Sequence, residues 1–260
     1  MPRKAASASL SDQNAALGGV AAVDRALSLL QVFKANDAPL ALATLAERTG
    51  LYKSTVLRLA ASLEHAMLIE RLPDGRYVLG HGVARLHQVY AAAFSLERAV
   101  LPALRALVAR TRESAAFHVL WGSGTHLQRM SLFRVDSDQP IRDHYKAGDM
   151  LPIDRGTGAM VLLAYNDHMT LTLPSKTLKL LRDVRQAGYM AGAGHRDAEV
   201  AGISAPVFKG SAPDFPLASA DMPLPPLAGA LILTMPATRY NEAHIAAVRE
   251  AAGRLSALLG

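Results

Sequence analysis

The chain has 260 residues, enough for two domains of ordinary size, and half of them are hydrophobic, which excludes disorder as its organising state. The formal net charge of +6 favours anionic partners mildly and says nothing of fold, while the lack of cysteine excludes disulfides, thiolate metal sites and a cysteine nucleophile. No apolar run approaches the ~18 residues of a membrane span, so no membrane partner is expected and the composition fits the cytoplasm.

Residues 1–19 read as a disordered arm rather than a leader, because Arg3 and Lys4 precede no sustained apolar core. Those two side chains can reach DNA, although a plain flexible tail fits the same pattern. From Val20 the chain becomes periodic. Val23, Ala26, Leu27, Leu30 and Phe33 recur at helical spacing and predict a first helix over about 21–34. Arg25 on that helix has two equal options, a phosphate or a surface salt bridge. Residues 36–39 form a turn.

The stretch 41–77 organises this half. Leu45, Ala46, Leu51, Val56 and Leu59 have the spacing of two helices crossing at a tight turn, with Gly50 as the stop of a helix over 42–49. On the second helix, predicted over about 53–67, Val56, Leu59, Ala60, Leu63 and Met67 form one stripe. Ser54, Thr55, Arg58, Ala61 and Ser62 form the other. That second stripe is short, polar and cationic, with no acid before Glu64, and such a face suits a major groove. Lys53 and Arg58 have the chemistry for phosphate or guanine, Ser54 and Thr55 for phosphate or base, and Ser62 lies on the same face. Pro73-Asp74-Gly75 between β-prone runs predicts a hairpin. Arg71 and Arg76 flank its tip, placed either along a phosphate backbone or simply in solvent. A helix-turn-helix followed by a hairpin is a winged helix.

Gly80 and Gly82 close the hairpin, and Val83, Leu86, Val89, Tyr90 and Phe94 predict a helix joining the two halves. Leu96, Val100, Leu104, Leu107 and Val108 mark another helix, inside which Pro102 predicts a kink or a restart. The rest reads as mixed sheet and helix. Strands are expected over 115–120, 126–133, 141–145, 203–208 and 228–234. A loop feeds an apolar helix over 156–165. An amphipathic helix over 175–186 carries Leu178, Leu181 and Val184 on one face and stops at Gly188. A terminal helix over 241–259 presents Ile245, Val248, Ala252, Leu255 and Leu259. The Pro-rich stretch 210–227 reads as a long surface loop.

The phrases AVDRALSLLQVF, LATLAERTGLYKSTVLRLAASL and DGRYVLG resemble the DNA-binding domain of the IclR family of bacterial transcriptional regulators. In the second half TRESAAFHVL takes the place of that family's Thr-x-Glu-x segment, and IRDHYKAGDMLPID, VLLAY, VRQAGYMAGAG, GISAPVF and GALILTMPATRY follow in the family's order. The resemblance covers roughly residues 20–259. It implies an α+β chain: an N-terminal winged helix-turn-helix over 20–81, a linker helix over 82–95, and a GAF-like mixed α/β effector-binding domain over 96–260. It also implies assembly as a homodimer or homotetramer; no cofactor and no metal are expected from the residues.

Carried over by position, the family's effector pocket falls on Leu151, Arg155, Gly156, Thr157, Gly158, Ser204, Pro206 and Thr234, with His195 and Arg196 in a segment that supplies a polar residue in relatives. Gly156-Thr157-Gly158 ahead of a helix offers exposed N–H groups and a favourable dipole end, which suits a carboxylate and hence a small organic acid. Asp154-Arg155-Gly156 departs from the family's usual His-Ala-Thr. Arg155 is either a bidentate carboxylate clamp or the partner of Asp154 or another surface acid. The Pro-rich stretch is a second departure, since the family usually has a short turn there.

Enzyme motifs fail on inspection. Gly202-Ile203-Ser204-Ala205-Pro206 lacks the last glycine of a nucleophile elbow, no phosphate loop occurs, and the histidines have no zinc-helix spacing. The expected activity is that of a ligand-responsive regulator binding double-stranded DNA at a near-palindromic operator. Two other readings stay open: a small-molecule binding protein without specific DNA function, and a nonspecific DNA binder.

Overall fold

The computed structural model describes residues 8–16, 18–34, 37–93, 96–122, 127–166 and 173–260. Arg3, Lys4, Asn36, Phe94 and residues 123–126 of the expected turn and return strand lie outside the described residues. The chain divides into two compact units, Met1–Phe94 and Ser95–Gly260.

The first unit runs α1 (Leu10–Gln13), α2 (Ala21–Gln31), α3 (Leu42–Thr49), α4 (Lys53–His65), β1 (Ile69–Arg71), β2 (Tyr77–Leu79) and α5 (His81–Ala93). Its core gathers Leu29, Val32, Leu40, Leu45, Val56, Ala60, Leu63, Ile69 and Tyr77. The turn between α3 and α4 depends on Gly50, whose φ of 69° is the left-handed conformation that ends a helix without a Cβ clash. Leu40 exchanges two backbone hydrogen bonds with Tyr77, at 2.9 and 2.8 Å, and so ties the hairpin to the entry of α3. Arg48 locks the preceding loop: its guanidinium donates to the Val32 carbonyl at 2.8 Å and to Asp37 Oδ1 at 2.9 Å.

Three expectations for this unit change. The arm is not disordered over residues 8–16. Ser9 caps α1 in a reciprocal capping box with Asp12, and Ser9 and Ser11 are buried. The buried face of α2 is Ser28 and Leu29, with Val32 buried just past its end, while Val23 and Leu27 of the expected stripe are exposed, so the apolar stripe is wider than the core it covers. Met67 is exposed as well, because α4 stops at His65 and Met67 turns left-handed at φ 58°. Its carbonyl then accepts the Gly82 N–H at 2.7 Å, which starts α5 directly after the hairpin.

The second unit is a helix–sheet–helix sandwich. Among the described residues the sheet has the order β5-β4-β3-β8-β7-β6, every neighbouring pair antiparallel. The strands are β3 (Ser114–Trp121), β4 (Gln128–Val135), β5 (Met150–Leu151), β6 (Met190–Ala193), β7 (Val200–Phe208) and β8 (Leu227–Pro236). Period-two alternation sorts the faces. Leu231 and Leu233 of β8, with Ala201, Ile203 and Val207 of β7, pack under α6 (Leu96–Thr111) and α9 (His244–Leu258). Ala230 and Ile232 pack on the opposite face under α7 (Thr157–Ala164) and α8 (Ser175–Ala187). The helix α7 is buried along its whole length, which is why its sequence is apolar all round.

Here too the structure departs from expectation. Residues 141–145 form no strand; Met150–Leu151 takes the sheet edge beside Arg129 and Met130. The 141–145 run is held by ion pairs of Asp143 instead of a ladder. The helix α6 continues through Pro102 without a restart. The strand β6, short and glycine-containing, carries too little β-signal to be read from sequence. The Pro-rich stretch is not a free surface loop. Leu217 is buried and its N–H donates to the Gln186 carbonyl at 2.8 Å, while Arg185 donates to the Ala220 carbonyl at 2.7 Å.

Candidate functional site

Two groups of residues have functional chemistry, one in each unit. In the first, the helix α4 turns Val56, Ala60 and Leu63 into the core. That rotation leaves Lys53, Ser54, Arg58 and Ser62 exposed on the other side, with Thr55 half-buried between them. Neither Lys53 nor Arg58 has a carboxylate within ion-pair distance among the described residues, so both charges are available to an anion. The other basic candidates are engaged. Arg76 donates from Nε to Asp74 Oδ2 at 2.7 Å, and that carboxylate raises the Arg76 pKa, so the hairpin tip is close to charge-neutral. Arg25 sits 3.7 Å from Asp12 and takes the salt-bridge option. Arg71 is exposed and lies 6.0 Å above the Tyr77 ring.

In the second unit a cavity opens at the start of α7. Of the residues carried over by family position, Leu151, Gly156, Thr157, Gly158, His195, Arg196 and Thr234 line it. Gly156 has φ 90° and ψ 152°, a conformation open to glycine alone, and its N–H donates to the His195 carbonyl at 2.8 Å. The hydroxyls of Thr157 and Ser204 share a 2.8 Å hydrogen bond, so Ser204 sits behind the wall and holds Thr157 in place. Among the described residues no side chain caps α7. Its Met160 N–H finds the Gly156 carbonyl, but the N–H groups of Thr157, Gly158 and Ala159 have no acceptor among the described residues, although all three residues are buried. A buried, uncapped helix start is a standing demand for an acceptor.

The cavity also holds a charge that sequence reading missed. Arg129 of β4 is only 3% exposed and has no carboxylate within ion-pair distance among the described residues. Its acceptors are neutral: the Pro152 carbonyl at 3.0 Å, the Arg155 carbonyl at 3.3 Å and His118 Nδ1 at 3.1 Å. Because a guanidinium cannot accept, His118 must offer Nδ1 as acceptor and carry its proton on Nε2. Burial, then the charges of Arg129, Arg134 and Arg196, push the His118 pKa well below the ordinary value and keep the ring neutral. Burial and the neighbouring Arg196 lower Arg129 itself to about 10, so it stays cationic at neutral pH. The guanidinium lies against the first turn of α7. A Cβ built at Gly156 would come within 3.1 Å of one terminal nitrogen, and one at Gly158 within 3.2 Å of the other. A cation at the positive end of a helix is unfavourable unless an anion joins them.

Asp143, Arg134, Tyr145 and Arg196 form the remaining polar wall. Asp143 pairs with Arg134 and lies 3.5 Å from Arg196, whose guanidinium also stacks 4.5 Å over the Tyr145 ring. The cavity, open to solvent on one side, has about 30 Å³ of space for water, room for two or three molecules at ~10–15 Å³ each. Two expected residues lie elsewhere. Arg155 is 54% exposed on its side chain and pairs with Asp154 at 3.2 Å, so it is no clamp; only its backbone carbonyl reaches the site. Pro206 lines a separate groove with Phe215 and Arg249. The missed residues left unequal signals: His118 interrupts the apolar run of β3, and a polar group inside a buried strand asks for a partner, whereas Arg129 lies among Gln128, Ser131 and Arg134 in β4 and does not stand out.

A family model for the IclR helix-turn-helix domain matches residues 22–73. The HTH-type transcriptional regulator TtgV of Pseudomonas putida is 32% identical over 196 residues, spanning 68% of this chain and 73% of that protein. An IclR transcriptional regulator of Alicyclobacillus acidocaldarius superposes with a TM-score of 0.72 at 20% identity, covering 93% of this chain and 100% of that one. An IclR homolog of Microbacterium hydrocarbonoxydans, solved in complex with 4-hydroxybenzoate, superposes with a TM-score of 0.72 at 21% identity, covering 92% and 98%.

Proposed function

Because the chain belongs to the IclR family of transcriptional regulators, we propose that it binds a near-palindromic operator in double-stranded DNA as a homodimer or dimer of dimers, and that a small organic acid in the α7 cavity modulates that binding. The observation that carries the DNA reading is the outer face of α4, where Lys53 and Arg58 stand without acidic partners among the described residues, beside Ser54, Thr55 and Ser62. Two such helices in one dimer would enter successive major grooves, about 34 Å apart or a multiple of that. The acid reading rests on the uncapped start of α7 beside Arg129, a buried cation with only neutral acceptors among the described residues. The 4-hydroxybenzoate held by the Microbacterium hydrocarbonoxydans homolog is itself an organic acid and supports that class.

The test is a selection of fragmented host genomic DNA on the purified protein at physiological salt, followed by sequencing. Enrichment of one or a few near-palindromic sites is the expected outcome, and the genes beside them nominate acids to assay. Even recovery across the genome would overturn sequence-specific binding.

A further inference from the structure

The cavity contains donors without acceptors and, in a different wall, an acceptor without a donor. The donors are the N–H groups of Thr157, Gly158 and Ala159, beside the Arg129 guanidinium, whose three acceptors are all neutral. The acceptor is Asp143. Its side chain is 6% exposed, Oδ1 is taken by Arg134, and Oδ2 has no hydrogen-bond partner among the described residues. Arg196, 3.5 Å from that oxygen, balances its charge without hydrogen-bonding it, and Arg196 Nε is committed to Asp197 at 2.9 Å. Buried carboxylate oxygens are rarely left without a donor.

We propose that the effector is a small hydroxy acid, its carboxylate at the first turn of α7 and Arg129, and its hydroxyl donating to Asp143 Oδ2. The assignment rests on the reading of this cavity as an acid site and narrows it. A plain carboxylate answers the donors and leaves Oδ2 bare. A diacid sets a second negative charge against Asp143. An ammonium group would donate to Oδ2, but Arg134 and Arg196 flank that oxygen and repel a third cation. A neutral hydroxyl meets both demands.

Calorimetric titration of the full chain with matched acids separates these cases. The probes are glycolate against acetate, lactate against propionate, and 3-hydroxybutyrate against butyrate, with alanine as the ammonium counterpart of lactate. In the wild type at least one hydroxy acid should bind ~10-fold or more tightly than its partner, as expected for a hydrogen bond to a charged group, and alanine no better than propionate. Asp143→Asn should shrink the difference. Equal binding within every pair overturns the hydroxy-acid assignment and leaves the acid site standing. Alanine binding as tightly as lactate, or an undiminished preference in Asp143→Asn, overturns the role given to Asp143. Failure of every acid to bind overturns the acid site and this assignment with it. Should the variant not fold, the wild-type pairs decide alone.

Discussion

On the proposed reading, Arg129 is the residue on which the effector site turns. A guanidinium removed from water with three neutral acceptors is held in place at a cost that burial already exacts, visible in its pKa of about 10. An arriving carboxylate would give it a charged partner. Acid binding should therefore be flat between pH 6 and 9 and weaken above about pH 10, ~10-fold per unit, as Arg129 loses its proton; titration at stepped pH checks this. Arg129→Lys keeps the charge and loses the fork, so it should retain weakened binding, while Arg129→Met should bind no acid. Gly156→Ala is expected to cost about 1–3 kcal/mol, because alanine does not adopt φ 90° with ψ 152° and its Cβ would press on Arg129. A thermal melt indistinguishable from wild type would contradict that.

At the scale of elements, the two halves of the DNA-binding unit were unequally legible. The crossing of α3 and α4 follows from Leu45, Gly50, Val56 and Ala60, whose spacing and turn chemistry act locally. The hairpin follows from Asp74-Gly75 in the same way. What escaped was set by distant partners. The inner face of α2 is decided by the core it meets, and the 141–145 run by Arg134 and Arg196. Arg129 was invisible because its burial depends on β5 and α7, which sequence spacing does not locate. Arg155 misled because its backbone, and not its side chain, reaches the site. Arg58→Ala should weaken operator binding by about 1–3 kcal/mol if Arg58 reads a base; unchanged affinity in an electrophoretic titration would remove it from the interface. In the loop before α3, hydrogen bonding from Arg48 holds the Asp37 carboxyl down at about 2, against an ordinary 3.8. A depressed carboxylate pKa stabilises the fold above the ordinary value, and that contribution is lost as pH falls towards 2. Asp37→Asn should therefore cost about 1 kcal/mol at pH 6 and almost nothing at pH 2, read as the difference in melting between the two proteins.

For the molecule as a whole, an acid bound in the sheet unit changes DNA affinity only to the extent that it binds the DNA-competent and incompetent states differently. That coupling is reciprocal: if the acid alters operator affinity by a given factor, operator DNA alters acid affinity by the same factor. The exposed apolar side chains of α5, Leu86 and Val89, are available for packing in an assembly, which would place a second α4 on the same operator. Operator binding should also weaken with salt in proportion to the phosphates neutralised, with a shallower slope in Lys53→Ala.

The measurement that tests the central claim most directly is operator affinity with and without a binding acid, in the wild type and in Arg129→Met. The account predicts that the acid shifts the wild-type Kd several-fold and leaves the variant's Kd unmoved, with both proteins binding operator equally well when no acid is present. An equal response in the two proteins would place the effector away from Arg129 and contradict it.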